Sequence, residues 1–399
     1  MSDLAARWAL DPEVVFLNHG SFGACPREVL AHQAALRAEM EAEPVRFLSR
    51  EIDDRLDAAR AALADFLGAD ADDLAFVTNA TSGVNAVLRS LPFAAGDELL
   101  ITDHAYNACR NALDFVARRA GARVVVAAVP FPIGTADAVV EALLARVTAR
   151  TRLALVDHVS SPTGLVMPIA RLVAELGARG VEVLVDGAHA PGMVPLDLAT
   201  LGATYYAGNC HKWLCAPKGS AFLWVRRDRQ PDVRPLTISH GANSPKAGRS
   251  RFRVEFDWTG TSDPTAWMTV PTAIACIGAM LAGGWPAVMA RNRALALEAR
   301  RLVGDALGTP PPCPDDMIGS LASVVLPDGP PADIGWRRPD PLQRRLFDGW
   351  GIEVPVMSWP APPRRLLRVS AQLYNDRADF TRLADALPKE LAAERAGAA

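Results

Sequence analysis

Val181-Glu182-Val183-Leu184-Val185-Asp186-Gly187-Ala188-His189 is a short apolar, β-branched run that ends on an aspartate, a glycine and a histidine. Runs of this kind, without polar alternation, belong to strands buried on both faces. Outward from it the pattern repeats. Strand-like segments at 74–78, 99–102, 124–129 and 153–157 precede it, and 204–207 and 221–225 follow. Helix-like segments begin after Thr81 and cover 107–119, 136–147 and 168–179. The alternation predicts an α/β fold whose large domain is a doubly wound, mostly parallel seven-stranded sheet. Ligands of such sheets bind beyond the carboxyl ends of the strands, so the loops there carry the chemistry.

Upstream, Phe16-Leu17-Asn18-His19-Gly20-Ser21-Phe22-Gly23 is a glycine-punctuated stretch that ends before Pro26. Proline there suits the first turn of a helix that uses Val29, Leu30, Leu36 and Met40. Ser49 reads as the N-cap of a second helix, in which Ile52, Leu56, Ala59, Leu63 and Phe66 recur at helical steps until Gly68. Beyond Arg226 the alternation stops. Residues 249–253 form a basic cluster, either a solvated face or a selector for an acidic side chain. Residues 271–307 read as one or two helices, and strand-like segments follow at 318–326, 352–356 and 366–375 before a closing helix. Hairpin-length strands with helices predict a smaller α+β domain. The expected division is 15–265 for the large domain and 266–399 for the small one, joined by the segment 1–14. The proline-rich segments at 309–314, 328–331 and 360–363 read as loops.

A net charge of −3 provides no electrostatic footprint for nucleic acid or for a membrane surface, which leaves small soluble molecules as the expected partners. No run reaches the length of a membrane span and the first ten residues lack an apolar core, so a cytoplasmic protein is expected. The six cysteines, at 25, 109, 210, 215, 276 and 313, show neither CxxC nor paired spacing, so no metal site or disulfide framework is expected. Lysine occurs only at 212, 218, 246 and 389.

Several strand-end loops carry reactive groups. Asn79-Ala80-Thr81-Ser82-Gly83 opens a helix with small hydroxylated residues, which is either an ordinary cap or an anion site formed by free amides and the helix dipole. Asp186 ends a buried strand, so it either caps its own turn or meets a cation such as a protonated ring nitrogen. Asn209-Cys210-His211-Lys212 follows another strand, and a lysine held partly neutral there could form a Schiff base. In Asp103-His104-Ala105-Tyr106-Asn107 either ring could lie flat against a cofactor. His158 and the turn Ser160-Ser161-Pro162-Thr163-Gly164 line the same sheet edge. Arg368 lies within an apolar strand pattern, as an exposed edge residue or as a receptor for a carboxylate.

Together these motifs are what pyridoxal-phosphate chemistry on amino acids requires. The chain resembles the class V aminotransferase family of fold-type I pyridoxal-phosphate enzymes, through Asn79–Gly83, Asp186-Gly187-Ala188-His189, Asn209–Lys212, Gly260-Thr261 and Arg368-Val369-Ser370 with Tyr374-Asn375. The resemblance implies pyridoxal 5'-phosphate as cofactor and Lys212 as the Schiff-base lysine. It implies Asp186 at the ring nitrogen and His189 at the ring hydroxyl, the three forming the catalytic set. Ala80, Thr81, Ser82, Asn209 and His211 are then cofactor-binding around the phosphate, with Thr261 reaching it from the second subunit of a homodimer. Tyr106, or else His104, stacks on the ring, while Asn18, His19 and Arg368 are implied to meet the substrate. The stretch 16–23, the loop 103–108 and Gly351–Val356 look most like the isopenicillin N epimerase subgroup, which also resembles carbon-sulfur lyases. Cysteine desulfurases carry a cysteine on the loop where this chain has Met357-Ser358-Trp359-Pro360, so a persulfide relay is not expected unless Cys313 moves in.

Overall fold

A computed structural model describes residues 2–245, 248–330 and 338–397; Lys246, Pro331 and the last two residues of the small-domain range lie outside the described residues. Seven strands form the central sheet: β2 (Leu74–Val77), β3 (Glu98–Thr102), β4 (Arg123–Ala127), β5 (Thr151–Asp157), β6 (Glu182–Gly187), β7 (Tyr205–Asn209) and β8 (Ala221–Val225). Their order is β2-β8-β7-β6-β5-β3-β4. All neighbours are parallel except β8, which runs antiparallel to both β2 and β7. The apolar runs explain the burial: β2, β3, β7 and β8 are buried at every position. Two hydrophobic clusters cover the two faces, one around Leu100, Val156 and Val185 and the other around Leu99, Leu155 and Leu184.

β1 (Val15–Phe16) leaves this sheet and pairs in parallel with β10 (Ile352–Glu353) from the other end of the chain. The glycine-rich stretch after β1 is therefore held by the C-terminal part. A second sheet, β11-β12-β9, is made of β9 (Leu321–Leu326), β11 (Val356–Ser358) and β12 (Arg365–Ser370), all antiparallel. The single strand expected at 352–356 is split between the two sheets at Val354-Pro355, where the proline has no amide proton for a ladder.

Helix boundaries follow the apolar stripe, with differences at the caps. The helix Ile52–Leu67 buries Ile52, Leu56, Ala59, Leu63 and Leu67 and ends on Gly68 in the left-handed conformation (φ 59°). Each such leucine contributes about 2 kcal/mol by leaving water. Ser49 does not cap it; Arg46–Arg50 forms one wide turn and Glu51 takes the N-cap position. Pro26 is likewise the N-cap of Arg27–Ala42 and not its first residue.

In the basic cluster Arg249 and Arg253 are drawn out of solvent while Arg251 stays exposed, and all three are already paired. Arg249 pairs with Asp57 (2.6 Å), Arg253 with Asp72 (2.6 Å) and Asp57, and Arg251 with Glu255 (2.6 Å). Arg60, which is 1% exposed, meets the buried Asp257 in the same network. The alternation in sequence showed the arginines but not the aspartates that face them from the helix Ile52–Leu67 and the turn at 70–73.

Candidate active site

The carboxyl ends of β5, β6 and β7 lie side by side, because Asp157 and Asp186 are register partners, as are Asp186 and Ala207. Asp186 is buried and does cap its own turn, accepting the Ala188 amide on Oδ1 (3.0 Å). Its Oδ2 accepts the thiol proton of Cys109 (3.0 Å), from the first turn of the helix Asn107–Ala120. Beside it, burial and the charge on Asp186 push the Asp157 carboxyl well above the usual carboxylate range. Asp157 Oδ2 has no partner among the described residues. The strand ends thus bring Asp186 together with a neutral Asp157 carboxyl and a Cys109 thiol that burial keeps protonated.

Lys212 lies in the loop after β7. Burial lowers its amine to about 8; the Arg368 charge lowers it further and Asp186 opposes both. Lysine, arginine and aspartate from three distant motifs therefore share one electrostatic field. Lys212 Nζ is 3.0 Å from His189 Nε2. The Trp213 indole N–H points at His189 Nδ1 (3.4 Å), and burial holds the imidazole neutral, so Nε2 carries the ring proton and can donate it to Lys212 whenever the amine is uncharged.

The lysine loop is fixed from behind. His19 donates from Nε2 to the Lys212 carbonyl (3.0 Å) and accepts the Tyr374 hydroxyl proton on Nδ1 (2.9 Å). His19 is fully buried and burial lowers its pKa to about 3, which suits a neutral support of the loop better than contact with substrate. Cys215 completes the turn with a positive φ of 57°, its amide bonded to the Lys212 carbonyl (3.0 Å). At Gly23, with φ 70°, a Cβ would lie 2.1 Å from the His211 carbonyl, so only glycine lets the N-terminal stretch approach this loop.

The start of the helix Ala80–Ser90, expected as an ordinary cap or an anion site, is capped by Asn79, and its donors are unequally free. The Ala80 amide donates to Asn209 Oδ1 (2.8 Å), and the Ser82 amide donates to Asn79 Oδ1 (2.8 Å). Both are thereby committed within the protein. The Thr81 amide and hydroxyl, and Asn209 Nδ2, have no partner among the described residues. His211 Nδ1 donates to the Ser220 carbonyl (2.8 Å), which leaves Nε2 open. The Thr81 amide and hydroxyl and Asn209 Nδ2 are free donors around a helix N-terminus, as a phosphate monoester needs, while His211, whose pKa burial lowers to about 4, would donate from Nε2 only on gaining a proton.

His104 and Tyr106 are separated by their surroundings. His104 is buried, bonded to Thr163 Oγ1 (2.9 Å) and the Val129 carbonyl (3.1 Å), with the Trp359 ring 4.4 Å away. Tyr106 is 45% exposed, and its hydroxyl is raised by burial of its inner edge, by Cys109 and by Asp186. Arg368 is on the middle strand of the small sheet and is 2% exposed, not an exposed edge residue. Burial lowers its guanidinium to about 10. Asn18 touches it only through Ser21, and Thr261 is exposed on the turn after Gly260. Cys313 is buried against Arg300 (Sγ–Nη1 3.6 Å) and pushed up to about 11 by that burial, which keeps it a thiol.

Sequence reasoning missed Cys109, Asp157 and Trp213 as neighbours of the reactive groups. Cys109 had one signal, its position three residues after Tyr106 in the first turn of a helix that opens at the sheet edge.

Comparisons with known proteins show the family of the chain. The family described as Aminotransferase class-V matches residues 16–298. The chain is 40% identical to the isopenicillin N epimerase of Amycolatopsis lactamdurans, covering 97% of this chain and 99% of that one. It is 31% identical to a probable chloroplastic L-cysteine desulfhydrase of Arabidopsis thaliana, covering 94% and 83%. A solved structure of a C-DES mutant with glycine covalently linked to its PLP cofactor superposes with a TM-score of 0.79 at 22% identity, covering 97% and 99% of the two chains. A lysine of lowered pKa, a strand-end aspartate and a free-donor helix start thus coincide with family membership, and the chain belongs to the class V aminotransferases, pyridoxal-phosphate-dependent enzymes of fold type I.

Proposed function

We propose that the protein acts at Cα of an amino acid or amino-acid conjugate and that its reaction is an epimerisation. The observation that carries the reading is the pairing of a partly neutral Lys212 with a buried Arg368 that no carboxylate neutralises among the described residues. The first is a base of suitable strength and the second a receptor for an α-carboxylate. The 40% identity to an isopenicillin N epimerase supports the reaction type.

In this reading Asp186 receives the pyridine nitrogen, His189 the ring hydroxyl and Tyr106 the ring face. Thr81, Asn209 Nδ2 and His211 hold the phosphate. When bound, pyridoxal phosphate supplies an electron sink for the pair left at Cα. Arg368 grips the carboxylate and orients the Cα–H bond. Lys212 Nζ takes that proton as general base, and Cys109 and the neutral Asp157 leave the negative charge on Asp186 undivided. Return of a proton to the opposite face of Cα inverts the centre.

The second subunit of a homodimer is proposed to bring Thr261, which is exposed on the rim of a groove of about 500 Å³ lined by Val45, Leu48, His240 and Trp258. A cytoplasmic location fits the net charge of −3 and the absence, among the described residues, of any helix long and apolar enough to cross a membrane.

The test is incubation in deuterium oxide with a panel of cysteine conjugates, aminoadipyl peptides and common amino acids. Deuterium at Cα with loss of configuration is the expected result. Release of pyruvate and ammonia in its place would establish the second reading, a carbon-sulfur lyase, which the 31% identity to a cysteine desulfhydrase favours.

A further inference from the structure

The contacts of Arg368 are unusual for a buried guanidinium. Nη1 donates to the Ser161 carbonyl, with Ser161 Oγ at 3.4 Å. Nη2 donates to Ser21 Oγ (3.2 Å), and the buried Nε has no partner among the described residues. The Ser21 hydroxyl passes its own proton toward Asn18 Oδ1 (2.5 Å), and Asn18 Nδ2 donates to Glu353 Oε1 (3.0 Å). Each donor along Arg368, Ser21, Asn18 and Glu353 points away from the guanidinium and toward the carboxylate. The chain crosses three segments, since β1 beside β10 brings Asn18 to Glu353 and the Gly20 amide on Ser370 Oγ (3.0 Å) fixes Ser21 against β12.

A direct carboxylate partner would satisfy Arg368 and compete with substrate for the same face. An arginine with no anion in reach would be costly to bury. Two neutral groups between the ions avoid both, because aligned dipoles convey part of the field of Glu353 and leave the guanidinium open.

We propose that Ser21, Asn18 and Glu353 are a polar relay of positioning residues that orients Arg368 and supports its charge, reserving it for the carboxylate of the substrate. The inference rests on the reading of Arg368 as the carboxylate receptor.

The test compares binding of glycine and of methylamine to the holoenzyme by calorimetry. The two probes differ by one carboxylate, so the ratio of their affinities isolates that group. Ser21→Ala is expected to lower the ratio about tenfold. Glu353→Gln, which keeps the shape and removes the charge, is expected to lower it about threefold. The double variant should fall no further than Ser21→Ala alone, since both cut one chain. Ser21→Thr retains the hydroxyl and should restore the ratio, which a loss through misfolding would not allow. An unchanged ratio in Ser21→Ala, additive losses, or failure of Ser21→Thr to rescue overturns the relay. If Arg368→Gln itself leaves the ratio intact, the carboxylate reading of Arg368 is what fails.

Discussion

The amine of Lys212 should be the most acidic lysine in the protein once the cofactor is stripped. With a pKa of about 8 against an ordinary 10.5, about 20% of it is neutral at pH ~7.4, whereas an exposed lysine is about 0.1% neutral. The difference is roughly 200-fold in reactive amine. Reductive methylation with formaldehyde and cyanoborohydride, mapped by mass spectrometry across pH, reads it directly, and only four lysines need to be resolved. Exposed Lys389 is the internal reference. The midpoint of the pH profile is the decisive quantity, because it does not depend on how easily reagent reaches a half-buried side chain. Arg368→Gln should move the midpoint upward, since the guanidinium charge is the second cause of the depression. The sign for stability follows. The unfolded chain holds the lysine proton more tightly, so burial of the ammonium costs about 3 kcal/mol below pH ~8. That cost is relieved as pH rises from about 8 to 10.5. A Lys212 midpoint equal to that of Lys389 would refute the account of the site.

Three further outcomes are expected. Asp186→Asn should reduce activity at least about 100-fold and loosen the cofactor, measured by turnover and by equilibrium dialysis, since a neutral amide cannot pair with a protonated ring nitrogen. Arg60→Ala should cost about 3–5 kcal/mol in urea denaturation, because Asp257 is 6% exposed and would keep only Arg249, at 3.8 Å. Gly23→Ala should abolish cofactor retention in gel filtration while the far-ultraviolet spectrum stays near wild type, because its Cβ meets the lysine loop at 2.1 Å.

The central sheet was legible because its strands are unbroken apolar runs whose length and β-branching exclude helices. Strand direction was not, since the reversal of β8 leaves Ala221–Val225 as apolar as its parallel neighbours. The place of Asp186 and Lys212 at strand ends was legible, because it is a property of the sequence pattern. The caps at Glu51 and Pro26 were missed because serine and proline propensities outweighed in sequence what the approaching chain dictates in space. The partners of Arg253, the support of Lys212 by His19 and the neutral Asp157 depend on contacts between distant segments, for which no local pattern exists.

The pairing of β1 with β10 has a consequence for the order of assembly. Asn18 meets Glu353 across 335 positions, Ser21 meets Arg368 across 347, and His19 meets Tyr374 across 355. Nearly the whole polypeptide must therefore leave the ribosome before the lysine loop gains its backing or the arginine its support. The seven-stranded sheet can collapse earlier from contacts made within residues 74–225. A nascent chain at that stage holds Asp186 and Lys212 but not yet Arg368 and its support, so the assembled site arrives last, with the final strand.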